Sequence, residues 1–388
     1  MKILHIITRL IVGGAQENTL LTCRGLQDRG HQVTLLTGPS TGPEGSLVEQ
    51  ARAGGYTVLE HPALVRNPHP IKDARAYFAI RSICRRLQPQ VVHTHSSKAG
   101  IIARYAAWHE HVPVVVHTIH GLPFHPYQSR IINTAWIMLE RAAARRCHAI
   151  ISVADAMTAT ALQNRIGRPE QFHTIHSGMN TAPFLTPANT RAAARKKLGI
   201  PLDRLVLGTI ARLQPLKGHD DLLAITADLL AACPQLHFLW IGDGVFRPRF
   251  DQMIAAHGWQ DRFTLTGLVP PADVAELIPA MDILVHPSFR EGLPRAVPQA
   301  LLERVPVIAY DCDGAREVCV PQRTGILVPP GNRMALKAAV LQLSASADQR
   351  TTMGQQGRQM CQQMFDANVM VGKIEGLYEQ LDQRQLPA

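Results

Sequence analysis

Glu291 and the residues around it have the types and spacing to do chemistry. In Ser288-Phe-Arg-Glu291-Gly292-Leu293-Pro294 an acid stands beside a glycine, which lets backbone come close, in a loop that follows the apolar run Ile283–His286. Pro294 is expected to open the next helix, where its missing N–H costs nothing. Arg212 and Lys217 lie five residues apart in a loop constrained by Pro215 and Gly218. Such a pair can grip both phosphates of a diphosphate, Arg as a planar fork and Lys as a point charge. Gly242-Asp243-Gly244 sets glycines around an acid at another strand end, and Gly267-Leu268-Val269 can wall a flat base. The plain alternative for each is a solvated turn.

The first half carries a second set. His120 ends an apolar run and is released into a loop by Gly121, where it either touches a substrate or serves as a hydrogen-bonded structural histidine. Ser96, Ser97 and Lys98 open a helix and form either an anion or hydroxyl site or a simple cap. Gly13-Gly14 follows the first strand and can turn backbone N–H groups toward an anion, although the G-x-G-x-x-G spacing of a dinucleotide loop is missing. His93 and His95 share one face of a strand and could ligate a metal, but no Cys, Asp or third His at ligand spacing completes a site, so no metal is expected.

These residues need strands to end where the loops begin. In the first half, apolar runs at 2–7, 32–37, 91–95, 112–117 and 149–153 read as strands, with helices at 15–28, 71–87, 99–109 and 130–146. The second half repeats the alternation, with strands at 205–210, 237–241, 263–266, 283–286, 305–310 and 325–328 and helices that include 220–231 and 272–278. Alternating β and α segments with near-continuous apolar strands imply parallel sheets covered on both faces. At 388 residues the chain exceeds one hydrophobic core. The expected organisation is α/β: a Rossmann-like domain over 1–180, a linker over 181–200, a second Rossmann-like domain over 201–365, and a C-terminal helical segment, 366–388, returning to the first domain. The two domains are expected to face each other across a cleft.

Seven scattered cysteines without a C-x-x-C pair suit a reducing cytosol and argue against a disulfide framework or zinc site. The opening MKILHIITRLIVGG fits strand and loop better than a signal peptide, and no apolar run approaches a membrane span. The net charge of +10 is one-sided: residues 1–180 hold 19 Lys+Arg against 10 Asp+Glu, and residues 181–388 hold 21 against 20. A basic first half suggests an anionic partner, with a membrane surface preferred over nucleic acid because no nucleic-acid motif accompanies the charge. The segment 130–146, with Ile131, Ile132, Trp136 and Leu139 on one side and Arg141, Arg145 and Arg146 near its end, either lies on such a membrane or packs on its own sheet.

Taken in order, GGAQ at 13–16, THSSKAG at 94–100, HTIHG at 117–121, RLQPLKG at 212–218, IGDG at 241–244, PSFREGLP at 287–294, PVIAYD at 306–311 and TGILVPPGN at 324–332 resemble the retaining glycosyltransferases of family 4, of the GT-B fold. The closest likeness is to bacterial enzymes of capsule, exopolysaccharide or O-antigen synthesis. The resemblance implies a nucleotide diphosphate sugar donor, most often UDP-linked, and a lipid-linked or saccharide acceptor. It also implies no metal or other cofactor, since the cations replace one, while the basic first half and the segment 130–146 lead to the expectation of peripheral association with the inner face of the cell membrane. By it, Arg212 and Lys217 hold the diphosphate and Glu291 binds sugar hydroxyls. Gly292, Leu293 and Pro294 offer backbone, His120 contacts the donor sugar, and Gly13-Gly14 lets the first domain close on the phosphates. Ser96 and Lys98 stand on the acceptor side. Relatives carry a second acid for the ribose hydroxyls; here Gln299 stands near that place, with one acceptor and two donors. A nucleotide-sugar epimerase of the same fold, or a catalytically weak scaffold, are the competing readings.

Overall fold

A computed structural model describes residues 1–40 and 45–384. The chain forms two compact units, Met1–Met179 with Asp366–Ala388, and Asn180–Phe365; the last four residues of the expected 366–388 segment lie outside the described residues.

The first unit holds β1 (Lys2–Arg9), β2 (Gln32–Gly38), β3 (Thr57–Glu60), β4 (Val91–His95), β5 (Val114–Ile119), β6 (Ala149–Ser152) and β7 (Phe172–Thr174), in the order β3-β2-β1-β4-β5-β6-β7. Every pairing is parallel. The second unit holds β8 (Leu205–Ile210), β9 (Leu236–Ile241), β10 (Phe263–Leu265), β11 (Ile283–His286), β12 (Val307–Tyr310) and β13 (Gly325–Val328), in the order β10-β9-β8-β11-β12-β13, again all parallel. The α/β class and the two Rossmann-like domains therefore stand. Strands β3 and β7 escape a reading by apolar runs because they are short, partly exposed edge strands. Chain order reverses between β1 and β4 in one sheet and between β8 and β11 in the other. Loops leaving the carboxyl ends of strands at such reversals are where open α/β sheets bind ligands.

The helix Ala367–Gln383 belongs to the first unit. Its Met370, Val371, Ile374, Leu377 and Tyr378 are buried among Ile3, Leu20, Cys23 and Leu26. Gly25 makes room for it, since a Cβ there would lie 2.7 Å from a Val371 methyl. Glu375 adds bonds of 2.7 Å to both His31 and Arg29.

Two local expectations change. Residues 181–200 are not a bare linker but part of the second unit, with helices Ala182–Leu185 and Arg191–Leu198. Thr190 caps the latter through the Ala193 N–H, and Gly199 ends it in a left-handed turn, which glycine tolerates without strain. Its Arg195 is fully buried and donates to Asp282 at 2.7 Å and to backbone carbonyls at Ala280, Leu202 and Arg204. Pro294, for its part, lies ahead of the helix, which runs Ala296–Leu302 from an N-cap at Arg295. Pro298 sits in that helix's first turn, where no intrahelical N–H bond is lost.

Candidate active site

In the second unit the β11 exit loop is stitched to the loop after β8. Phe289 N–H donates to Leu216 C=O at 2.9 Å, and the Ser288 hydroxyl donates to the carbonyls of Leu216 and Arg290. Ser288 is 1% exposed and its hydroxyl is occupied in this way, so it fixes the loop. Gly218, at φ 77°, is required here because a Cβ would fall 1.9 Å from Pro287 C=O. Gly242 and Gly244 admit the same close approach on the other flank, to Ala211 C=O and Leu213 C=O. Asp243 accepts from the Gly244 N–H at 2.7 Å, and its carbonyl accepts from Leu213 N–H.

This stitching places Lys217 on Glu291. Lys217 Nζ lies 2.5 Å from Glu291 Oε1, and His286 Nε2, from the end of β11, lies 3.1 Å from the same oxygen. The Glu291 N–H donates to Asp313 Oδ2 at 2.8 Å, and the Gly314 N–H donates to Gly292 C=O. Burial works against ionising the Glu291 carboxyl, but Lys217 and His286 outweigh it and hold the carboxyl well below the usual carboxylate range. Both protein donors use Oε1. Oε2 has no partner among the described residues and remains an acceptor for a ligand.

In the loop after β8, Arg212 is exposed, and its side chain has no ion pair or hydrogen bond among the described residues. The Gln299 amide is partly exposed and similarly unengaged. Leu268 is 53% exposed next to Gly267, whose carbonyl accepts from Gly242 N–H, and Val269 is half-buried beside it. Leu293 and Pro294 are buried, so the loop offers backbone more than side chain. Two further residues at this site, His286 and Asp313, belong to none of the sequence motifs. His286 is the residue before the loop's own proline, a legible position, whereas Asp313 reaches the loop only because β12 lies beside β11.

The first unit brings Gly13, Gly14, Ser96 and His120 to strand ends at or beside its own reversal. Gly13 precedes the helix Gly14–Asp28 in extended conformation, and a Cβ there would crowd Gln16 Oε1 at 2.8 Å. Ser96 has a φ of 62°, a conformation costly for a residue with a Cβ, and its hydroxyl shares a 2.7 Å hydrogen bond with the hydroxyl of Thr8 on β1. Lys98 departs from its expected role: its Nζ lies 2.5 Å from Asp73 Oδ1, and it is 12% exposed. A carboxylate on the neighbouring helix Pro70–Leu87 has claimed that cation. His120 lines a cavity of about 250 Å³ together with Ser96, His117, Gly121 and Glu140. Behind that cavity Glu140 pairs with Arg104 at 2.6 Å in full burial.

His120 is not alone. His95 Nδ1 lies 3.1 Å from His120 Nε2, and His95 Nε2 lies 3.0 Å from His5 Nδ1. The third histidine that sequence spacing lacked is therefore His5, which the parallel register of β1 with β4 sets opposite His93. Nitrogens of His5, His93 and His95 lie within 4.8 Å of one another, close enough for a metal. Yet His93 already bonds Thr118 at 2.6 Å and Tyr378, and both nitrogens of His95 are engaged by histidines. Burial lowers the basicity of His5 to about 3 and that of His93 and His95 well below the ordinary histidine value, so the rings are neutral.

Compared with known proteins, residues 12–183 match the family model described as Glycosyltransferase Family 4, and residues 190–360 match that described as Glycosyl transferases group 1. The chain is 24% identical over 340 residues to the Escherichia coli UDP-Gal:alpha-D-GlcNAc-diphosphoundecaprenol alpha-1,3-galactosyltransferase, covering 84% of each protein. It is 28% identical over 344 residues to the GDP-mannose-dependent alpha-mannosyltransferase of Mycolicibacterium smegmatis, covering 86% of each. Among solved structures, Anabaena HepE in complex with UDP shares the fold at a TM-score of 0.81 and 21% identity, over 98% of this chain and all of that one.

Proposed function

Because the chain belongs to glycosyltransferase family 4, we propose that this glycosyltransferase moves a sugar, with retention, from a UDP-sugar to a lipid-linked saccharide acceptor in bacterial polysaccharide synthesis. The observation that carries the reading is the Glu291 carboxylate, ionised by Lys217 and His286 on Oε1 and unengaged on Oε2. A fixed carboxylate with one open oxygen suits sugar hydroxyls. Lys217, with three donors, can keep Glu291 and still reach a phosphate, while the exposed fork of Arg212 supplies the second grip. Together they stabilise the departing diphosphate, the largest contribution a site of this kind makes. The C1–O bond to phosphate breaks as the acceptor oxygen bonds C1 from the same face, and the acceptor proton passes to the leaving phosphate oxygen. His120 meets the donor sugar, Gln299 the ribose, and Leu268 and Val269 the base. No metal is needed in this scheme. UDP and a diphosphate-lipid acceptor are favoured because the E. coli galactosyltransferase is named for both.

The acceptor's lipid calls for a membrane, and the helix Arg130–Ala144 supports that part. Its apolar side does not pack on the sheet: Ile131 is 84% exposed and Met138 62%, with Ile132 and Leu139 near half, and Arg130 and Arg145 are exposed as well. Such a face fits the interface of an anionic leaflet, here the inner face of the cell membrane. Among the described residues no helix is long and apolar enough to cross one.

Incubation with UDP- and GDP-sugars, with and without a bacterial lipid extract, tests the assignment. UDP release and a glycosylated lipid that both require extract are expected. Interconversion of free nucleotide sugar without extract would instead establish an epimerase, and no turnover with any donor would leave the scaffold reading. Flotation with anionic vesicles tests the membrane part; no binding at low salt overturns it.

A further inference from the structure

We propose that His95 and His5 are positioning residues: a buried chain of neutral imidazoles holds His120 in the tautomer that carries its proton on Nδ1, so that His120 meets the donor sugar as an N–H donor. The inference rests on the reading that His120 contacts that sugar.

The chain is short and its partners are fixed. His120 Nε2 faces His95 Nδ1 at 3.1 Å, and His95 Nε2 faces His5 Nδ1 at 3.0 Å. His5 and His95 are 0% and 1% exposed. Each neutral ring has one proton and two nitrogens, so only two arrangements make both bonds. In one, protons run inward: His120 donates to His95, His95 donates to His5, and His5 must keep its own proton on Nε2. That atom is buried and has no partner, which would make it an orphaned N–H donor. In the other, protons run outward: His5 Nδ1–H donates to His95 Nε2, and His95 Nδ1–H donates to His120 Nε2. His5 Nε2 is then only a bare lone pair. Orphaned buried N–H groups are rarer than under-satisfied acceptors, so the outward arrangement is favoured.

Its consequence appears at the cavity. With Nε2 accepting from His95, the single proton of His120 sits on Nδ1. A neutral donor suits a hydroxyl or ring oxygen. His93 holds the geometry by packing, its ring centroid 4.3 Å from that of His95 and 5.0 Å from that of His5, while Thr118 and Tyr378 hold its own nitrogens. Three strands and the C-terminal helix thus converge on the proton of one side chain.

Long-range proton–nitrogen correlation on the ¹⁵N-histidine-labelled wild-type protein tests this without any variant. His120, assigned by its disappearance in His120→Asn, should show a protonated Nδ1 and a bare Nε2 near pH 7.5; a protonated Nε2 overturns the proposal. Kinetics supply the second arm. His95→Phe should lower kcat about tenfold with donor KM nearly unchanged, as for one lost orienting bond. The double variant His95→Phe/His120→Ala should be no slower than His120→Ala. Additive losses would mean that His95 acts only on the fold and would overturn its positioning role. If His120→Ala transfers as fast as wild type, the assignment of His120 to the sugar fails, whereas the spectrum still decides the direction of the chain.

Discussion

Replacing Lys217 by Met leaves the Glu291 carboxylate without its cation, and the outcome follows from the geometry. In the wild type, burial opposes ionisation of Glu291, and Lys217, 2.5 Å from Oε1, together with His286 at 3.1 Å more than offsets it. A carboxyl whose folded pKa is depressed contributes stability above its unfolded value, here 4.5, and loses it only as pH falls through the folded value. The wild type therefore draws no pH dependence from this group between pH 5 and 8. In Lys217→Met only His286 is left to oppose burial; the folded pKa is expected to rise above the unfolded one, and the sign then reverses, with stability lowest at neutral pH and recovering as pH falls through the folded pKa. A charge-assisted bond contributes about 1.5–3 kcal/mol, and breaking a fully buried pair costs about 3–5 kcal/mol. The side chains here retain 21% and 16% of their exposure, so the loss at pH 7.5 should be about 2–3 kcal/mol. For a unit of this size that lowers Tm by about 4–12 °C. Scanning calorimetry at pH 7.5 and pH 5 should show the deficit shrinking by about half at the lower pH. Adding Glu291→Gln should restore part of it, because no charge is then buried. An equal Tm loss at both pH values, or a further loss on adding Gln, would refute the reasoning.

Other substitutions have equally specific outcomes. Glu291→Gln should reduce transfer more than about 100-fold while calorimetric titration finds UDP affinity within about twofold, because the lost interaction is to the sugar. Gln299→Ala should weaken UDP binding by about 1 kcal/mol, near fivefold, and unchanged affinity would remove Gln299 from the ribose. Gly218→Ala puts a Cβ 1.9 Å from Pro287 C=O at a φ of 77°; urea midpoints should report a loss of about 2 kcal/mol or more, with weaker UDP binding as the Lys217 loop shifts. Glu140→Gln leaves Arg104 charged and fully buried, which should cost about 3–5 kcal/mol in chemical denaturation.

The sequence was most readable where one strand and its own loop did the work. The runs 91–95, 205–210, 283–286 and 325–328 coincide with β4, β8, β11 and β13, since buried parallel strands are apolar throughout. Glu291 and Lys217 were legible as an acid and a cation in loops. Their 2.5 Å contact was not, because it depends on β8 and β11 being neighbours in the sheet. The same applies to His5, which lies 88 residues before His93 and meets it only through strand register. The pairing of Lys98 is hidden for a related reason: Asp73 stands 25 residues away on another helix, and nothing local announces that it will claim the charge. The segment 181–200 reads as a linker because Pro, Thr and Asn crowd its start, whereas the helix Arg191–Leu198 is anchored to the second unit by Arg195, buried against Asp282.

The helix Ala367–Gln383 completes a core whose other members precede Asn180. During synthesis, Met179 emerges 187 residues before Asp366, a delay of roughly 10–40 s at 5–20 residues per second. Throughout that interval the first unit has the groove along Leu20, Cys23 and Leu26 but not the Met370, Ile374 and Tyr378 that fill it, and His93 lacks its tyrosine partner. Every residue of the second unit, Asn180–Phe365, is made before Asp366, so this unit can fold during the wait. The second unit is thus expected to complete before the first, and a nascent chain stalled before Asp366 should carry an exposed apolar groove of the kind chaperones hold.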